Sequence, residues 1–274
     1  MSVLIAVDEL RALEIAPVLV DVTWNLAGPP GKEAYDAGHL PGAYFVDLDT
    51  ELAAPPGPGR HPLPTATTVT ATFARLGISS ADTPVVVYDA NNAMSAARAW
   101  WTFRYFGLTN VRVLDGGRAA WQSAGEQLTT EVPSGGVPSG FVATPGHIPV
   151  LDAEGAAAVA AKGILLDARA PERFAGEVEP MDPVAGHIPG AVNAPTGANV
   201  TESGHFRTPA ELRERFTALG VTEGADVAVY CGSGVTAAHE ALALESAGIP
   251  ATVYIGSWSE WITDPTRPVA TGKD

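Results

Sequence analysis

The sequence predicts an α/β fold laid down twice, as two tandem domains that are each a mainly parallel sheet with helices on both faces. Three observations lead there. A chain of 274 residues is long for a single hydrophobic core. Motifs recur in the same order in its two halves: Gly38-His39-Leu40-Pro41-Gly42-Ala43 returns as Gly186-His187-Ile188-Pro189-Gly190-Ala191, and Val20-Asp21 as Leu166-Asp167. Val87-Tyr88-Asp89 returns as Val229-Tyr230-Cys231, and Leu114-Asp115-Gly116-Gly117 with Trp121 as Tyr254-Ile255-Gly256-Ser257 with Trp261. Within each half, short runs that are apolar throughout alternate with helical patterns, and such runs are strands buried on both sheet faces. Two copies mean a duplicated domain, since a solenoid needs three or more short repeats.

The elements follow in order. In the first half, residues 17–22 and 84–88 read as strands, 95–106 as a helix and 111–114 as a strand. The Gly-, Pro- and Ser-rich stretch from Glu131 to Gly140 has linker composition, so the domains are placed at 1–130 and 149–274, with a linker at 131–148. In the second half, 163–167 and 226–230 read as strands, 235–247 as a helix stopped by Gly248, and 251–255 as a further strand. Ligands of such sheets sit beyond the C-terminal ends of the strands. Cys231 and its counterpart Asp89 both fall there.

Composition narrows the function classes. Apolar residues make up 46% and charged residues 17%, so the chain can bury a large core and is not disordered. Against 31 acidic residues stand 16 basic ones, a net charge of −15 that repels phosphate backbones and anionic membrane surfaces. No nucleic-acid or membrane partner is expected. The one cysteine, Cys231, excludes an internal disulfide framework, CxxC redox chemistry and multi-cysteine zinc sites. Charges at Asp8, Glu9, Arg11 and Glu14 break any signal-peptide core, and no run of 18 apolar residues occurs, which points to a cytoplasmic protein.

The Cys231 loop carries the chemistry. In Cys231-Gly232-Ser233-Gly234-Val235-Thr236-Ala237, a thiol stands between a buried strand and the start of a helix. Glycines there let the chain curl with its amides inward, as an anion-binding nest. The helix N-terminus favours a thiolate by a further ~0.3–1 kcal/mol. Three rival readings are weaker. A dinucleotide fingerprint needs an acidic residue about 20 positions on, and residues 251–256 contain none. A cysteine phosphatase needs an arginine where Ala237 stands, and a serine-hydrolase elbow needs G-x-S-x-G, whereas Ser233 has glycines at both adjacent positions.

Two halves that each carry Asp-Val/Ala-Thr/Arg after a strand, a GH[LI]PGA motif and a Val-Tyr-Asp/Cys loop resemble the rhodanese superfamily. The likeness spans nearly the whole chain, including Asp21-Val22-Thr23-Trp24 and Trp100-Trp101, and implies two tandem rhodanese-like domains. The loop itself is similar to that of 3-mercaptopyruvate sulfurtransferases rather than thiosulfate sulfurtransferases, whose loop carries basic residues after the cysteine.

The resemblance implies sulfur transfer without a cofactor or a metal. On that resemblance Cys231 would take sulfur from a small anionic donor, 3-mercaptopyruvate being favoured, hold it as a persulfide and pass it to a thiol acceptor such as thioredoxin or to cyanide. Thiosulfate:cyanide sulfur transfer and a non-catalytic sulfur carrier are the alternatives. Gly232, Gly234, Val235 and Thr236 would wrap the persulfide, and Arg173 would grip the donor's carboxylate or sulfonate. Where the family has a second arginine this chain has Asp182, which leaves donor preference open. Ser233 matches a serine that works with a histidine, and His39 is the matching histidine. His187, in the same motif of the other half, keeps a turn-stabilising role open for both. With Asp89 at the cysteine position, the first domain is expected to be catalytically inert.

Overall fold

The computed structural model describes residues 2–136 and 140–273. They divide into two compact units, the first of residues 2–54, 63–148 and 202–206, the second of 55–62, 149–201 and 207–273. Each unit holds one five-stranded sheet, and every strand pair in both is parallel.

In the first unit the strands are β1 (Leu4–Ile5), β2 (Val18–Asp21), β3 (Tyr44–Phe45), β4 (Val85–Tyr88) and β5 (Val111–Leu114), in the order β1-β5-β4-β2-β3. The second unit repeats that order with β6 (Val150–Leu151), β7 (Ile164–Asp167), β8 (Val192–Asn193), β9 (Val227–Tyr230) and β10 (Thr252–Tyr254), arranged β6-β10-β9-β7-β8. The central strands, Val-Val-Val-Tyr of β4 and Val-Ala-Val-Tyr of β9, are buried at all four positions. β-Branched side chains suit a strand packed on both faces.

Strand alternation assigns the two faces of the second sheet. Leu165, Ala228, Tyr230 and Tyr254 pack against the helices Ala153–Lys162, Pro171–Phe174 and Ser257–Trp261. The helix Val235–Ser246 packs against β9 and β10, and against the helix Pro209–Ala218. Helix ends are set by sequence. Thr208 and Glu211 form a capping box at the start of Pro209–Ala218, and Gly248 follows Val235–Ser246 with φ +72°.

Residues 131–148, expected as a linker, are tied to the first unit along much of their length. Gly136 N–H donates to Arg75 O at 3.0 Å, His147 N–H to Tyr105 O at 3.1 Å and Ala143 N–H to Thr70 Oγ1 at 3.0 Å, while Phe141 stacks on Phe73. Val137, Pro138 and Ser139 of that stretch lie outside the described residues. No helix among the described residues is long and apolar enough to cross a membrane.

Candidate active site

Strand β9 delivers Cys231 at its C-terminal end, with 1% of its surface exposed. Two turns then hold the thiol. In the first, Gly234 adopts φ +82°, a conformation that costs glycine little, and its N–H donates to Cys231 Sγ at 3.1 Å. In the second, at the end of β10, Ser257 adopts φ +56°. Its Oγ accepts from Cys231 N–H at 3.1 Å, donates to Tyr254 O at 2.9 Å and lies 3.9 Å from Sγ. Trp258 N–H and Ser259 N–H reach Cys231 O and Gly232 O, both at 2.9 Å. The backbone of Cys231 is therefore fixed from both sides, and the helix Val235–Ser246 starts directly behind it.

Ser233 is buried, and its Oγ lies 2.8 Å from Nδ1 of His61. Arg173 stands beside the loop, its Nη1 and Nη2 3.4 and 3.5 Å from the point where a side chain on Gly232 would begin. Nε and Nη2 of Arg173 engage Glu179, the shortest contact being 2.7 Å, and Nη2 also donates to Asp182 Oδ2 at 3.2 Å. Asp182 also pairs with Arg60. Behind them Arg169 is buried against Asp167, with Nη2 2.7 Å from Oδ2, and its guanidinium lies 4.8 Å from the Trp258 ring.

Burial pushes upward on both loop carboxyls, and their partners decide the outcome. For Glu179, the Arg173 donors and the amides of Met181 and Asp182 outweigh burial and hold it below the ordinary carboxylate range. For Asp182, burial outweighs Arg60 and leaves it above that range.

The second unit thus brings together Cys231, Gly232, Ser233, Gly234, Val235, Thr236 and Arg173. The histidine at Ser233 is His61, not His39. His39 is fully buried in the first unit, with Nδ1 2.9 Å from Tyr35 O and Nε2 3.2 Å from Glu131 O. Its ring stacks on Tyr35 at 3.7 Å, and its main chain pairs with Thr129. His187 repeats this in the second unit, stacked on Phe174 at 3.7 Å with Nδ1 2.8 Å from Phe174 O and its main chain paired with Ala270. His39 has a main-chain carbonyl within reach of each ring nitrogen and donates to one of them, and with its stacked ring and paired main chain the repeated motif locks a turn.

Sequence reasoning missed Arg60, His61, Ser257 and Glu179. A signal existed for the first two: they are the only charged or imidazole-bearing residues of Pro55-Pro56-Gly57-Pro58-Gly59-Arg60-His61-Pro62. That tract matches none of the repeated motifs, so aligning the halves passed over it.

The first unit shows what replaces a thiol at the equivalent place. After β4, the carboxylate of Asp89 is buried and accepts from the N–H groups of Asn91, Ala93, Ser95 and Ala96 at 2.8–2.9 Å, and from the Ser95 hydroxyl at 3.0 Å. An internal anion fills the cradle. Arg118 N–H donates to Asp89 O at 3.0 Å as Trp258 N–H does to Cys231 O, and Gly117, at φ +53°, stands where the second unit has Ser257.

Comparison with known proteins defines the class. The rhodanese-like domain pattern matches residues 6–124 and again 152–264. The chain belongs to the rhodanese family. It is 46% identical, over 99% of its length and 98% of the relative's, to SseB of Mycobacterium tuberculosis, which carries a provisional thiosulfate sulfurtransferase name. It is also 46% identical to a Pseudomonas aeruginosa protein provisionally named a 3-mercaptopyruvate sulfurtransferase, over 93% of this chain and 92% of that one. The crystal structure of SseA from Escherichia coli superimposes with a TM-score of 0.83 at 32% identity, over 94% of this chain and 99% of the other. Within the family, the chain is a tandem-domain sulfurtransferase.

Proposed function

We propose that Cys231 accepts sulfur from 3-mercaptopyruvate, in preference to thiosulfate, and delivers it to a thiol such as thioredoxin or, in an assay, to cyanide. The Cys231 thiolate attacks the donor sulfur. The donor's carbon–sulfur bond breaks, its electron pair leaves with the pyruvate enolate, and a proton added to that carbon gives pyruvate. With thiosulfate the sulfur–sulfur bond breaks and sulfite departs. In either case Cys231 is left as a persulfide, and the acceptor's attack on the outer sulfur restores the thiolate.

The observation that carries this reading is the thiol held by the Gly234 amide in a loop where Arg173 stands beside Gly232 and His61 meets Ser233. The arginine supplies a counter-charge for the donor's anionic end. Ser233 and His61 supply a proton route to the departing enolate. Asp89, which already neutralises its own cradle, makes the first unit catalytically inert. A single free thiol suits a reducing, cytoplasmic compartment.

The test is to incubate the protein with each donor and cyanide, measure thiocyanate, and follow persulfide on Cys231 by intact mass. Turnover with 3-mercaptopyruvate exceeding that with thiosulfate, abolished in Cys231→Ser, is expected. Persulfide without turnover from either donor would leave only the carrier role.

A further inference from the structure

We propose that Arg60 is a donor-binding residue that determines specificity for a planar carboxylate, and that Asp182 is its positioning residue. This rests on the Cys231 reading above and goes beyond it. The backbone of Arg60 is anchored next to the nucleophile: its N–H donates to Ser259 Oγ at 3.1 Å, and Ser259 N–H donates to Gly232 O at 2.9 Å. Its side chain points to the same place. Nη2 of Arg60 lies 2.8 Å from the point where a side chain on Gly232 would begin, nearer than either Arg173 nitrogen. Glycine at 232 is what lets the guanidinium come so near the residue after the thiol.

Two guanidinium groups converging on one residue repel unless an anion bridges them. Asp182 is that bridge, with Oδ1 on Nη1 of Arg60 and Oδ2 on Nη2 of Arg173. The two arginines are then left with different free donors. Glu179 already occupies the Nε–Nη2 edge of Arg173, the edge that grips a planar carboxylate with two parallel hydrogen bonds. Arg60 meets Asp182 through Nη1, while its Nε is buried with no acceptor among the described residues. A spare donor beside an Nη2 that faces the loop is the fork a carboxylate completes. Arg60 is therefore the bidentate partner of the donor, and Arg173 adds single contacts through Nη1. Thiosulfate has a tetrahedral sulfonate end in place of a planar carboxylate, so it gains less from this fork.

The experiment compares steady-state kinetics of wild type, Arg60→Met, Arg60→Lys and Asp182→Asn with each donor, alongside thermal midpoints. Arg60→Met is expected to raise KM for 3-mercaptopyruvate about tenfold or more, the scale of a lost charge-assisted hydrogen-bond pair. Its kcat should stay within about threefold, because the chemical step belongs to Cys231 and its neighbours. KM for thiosulfate should move less. Arg60→Lys, which keeps the charge and loses the fork, should fall between. Asp182→Asn should raise KM for 3-mercaptopyruvate as well. An unchanged KM in Arg60→Lys and in folded Arg60→Met overturns the proposal. A KM lowered by Asp182→Asn overturns the positioning role, because Asp182 would then be a competitor of the donor. Wild type that forms no persulfide with either donor overturns the Cys231 reading instead.

Discussion

Ser257 places one hydroxyl against both the amide and the sulfur of Cys231, 3.1 Å from the nitrogen and 3.9 Å from Sγ, from a backbone φ of +56°. A left-handed serine is strained, and Gly117 takes the same conformation in the other unit without that cost. Ser257→Ala keeps the strain and leaves the buried Cys231 N–H without its acceptor, so it should cost about 1–3 kcal/mol in urea denaturation. Ser257→Gly loses the same hydrogen bond and relieves the strain, and should be about 1 kcal/mol more stable than the alanine variant. Both should slow alkylation of Cys231. Equal stability of the two variants would contradict the strain argument.

His61 and His39 should separate activity from stability. His61→Ala breaks the 2.8 Å contact with Ser233 and should lower kcat about 100-fold or more if the pair moves the proton. Ser233→Ala should do the same, and the double variant should lose little more, because the two act as one unit. His39→Ala should instead lose about 2 kcal/mol or more of stability, since a fully buried ring and two carbonyl contacts disappear. Its persulfide formation on Cys231 should survive. A catalytic loss in stable His39→Ala would reverse these assignments.

The repeat made the sheet, the central strands and the Cys231 turn legible, because a strand buried on both faces writes itself as an unbroken apolar run and glycine marks the turn after it. The same comparison misled at His39. A histidine present in both halves is explained by what both halves share, which is a stacked ring closing a turn on Tyr35 or Phe174. Arg60 and His61 were hidden for the opposite reason. They sit in a proline- and glycine-rich tract with no periodicity, and only the folded chain gives it to the second unit. Ser257 was invisible because its task depends on a backbone angle that no sequence pattern demands of serine.

Asp89 makes the first unit's cradle a structural device. Five donors converge on its carboxylate, all within 3.0 Å. Asp89→Ala strands those donors and should destabilise by about 3–5 kcal/mol. Asp89→Asn should cost nearly as much, because its NH2 would face N–H donors where an oxygen stood. Guanidinium titration would show both losses. Persulfide formation on Cys231 in the remaining folded protein should be unchanged, and its loss in Asp89→Asn would argue against an inert first unit.

Arg169 and Asp167 form a fully buried pair with two-point contact, Nε and Nη2 both meeting the carboxylate within 3.1 Å. Burial works against the guanidinium's charge, and Asp167 more than restores it. Arg169→Met leaves Asp167 uncompensated and should cost about 3–5 kcal/mol. Adding Asp167→Asn should recover most of that loss, since no buried charge then lacks a partner. The double-mutant cycle by urea denaturation measures the coupling, and a double variant no more stable than Arg169→Met would show that packing on Trp258, not charge, holds Arg169 in place.

Glu179 and Asp182 give the arginine cluster a pH signature of two opposite signs. Glu179 is held below the ordinary carboxylate range, so its ionised form stabilises the fold. That contribution is complete above the unfolded-state value and disappears as pH falls through the lower folded-state value. Asp182 is raised by burial, so its ionised form costs stability at neutral pH, and the cost fades as pH falls through the raised value. Glu179→Gln should therefore lower the thermal midpoint at pH 7, with the gap to wild type closing below about pH 4. Asp182→Asn removes both that cost and the anion between Arg60 and Arg173, so its thermal midpoint should fall relative to wild type as pH drops through the raised value, starting above the ordinary range. Differential scanning between pH 3 and pH 7 (roughly the span of carboxylate titration) reads both gaps. A Glu179→Gln gap that stays constant across that span would show that the loss came from shape and not from charge.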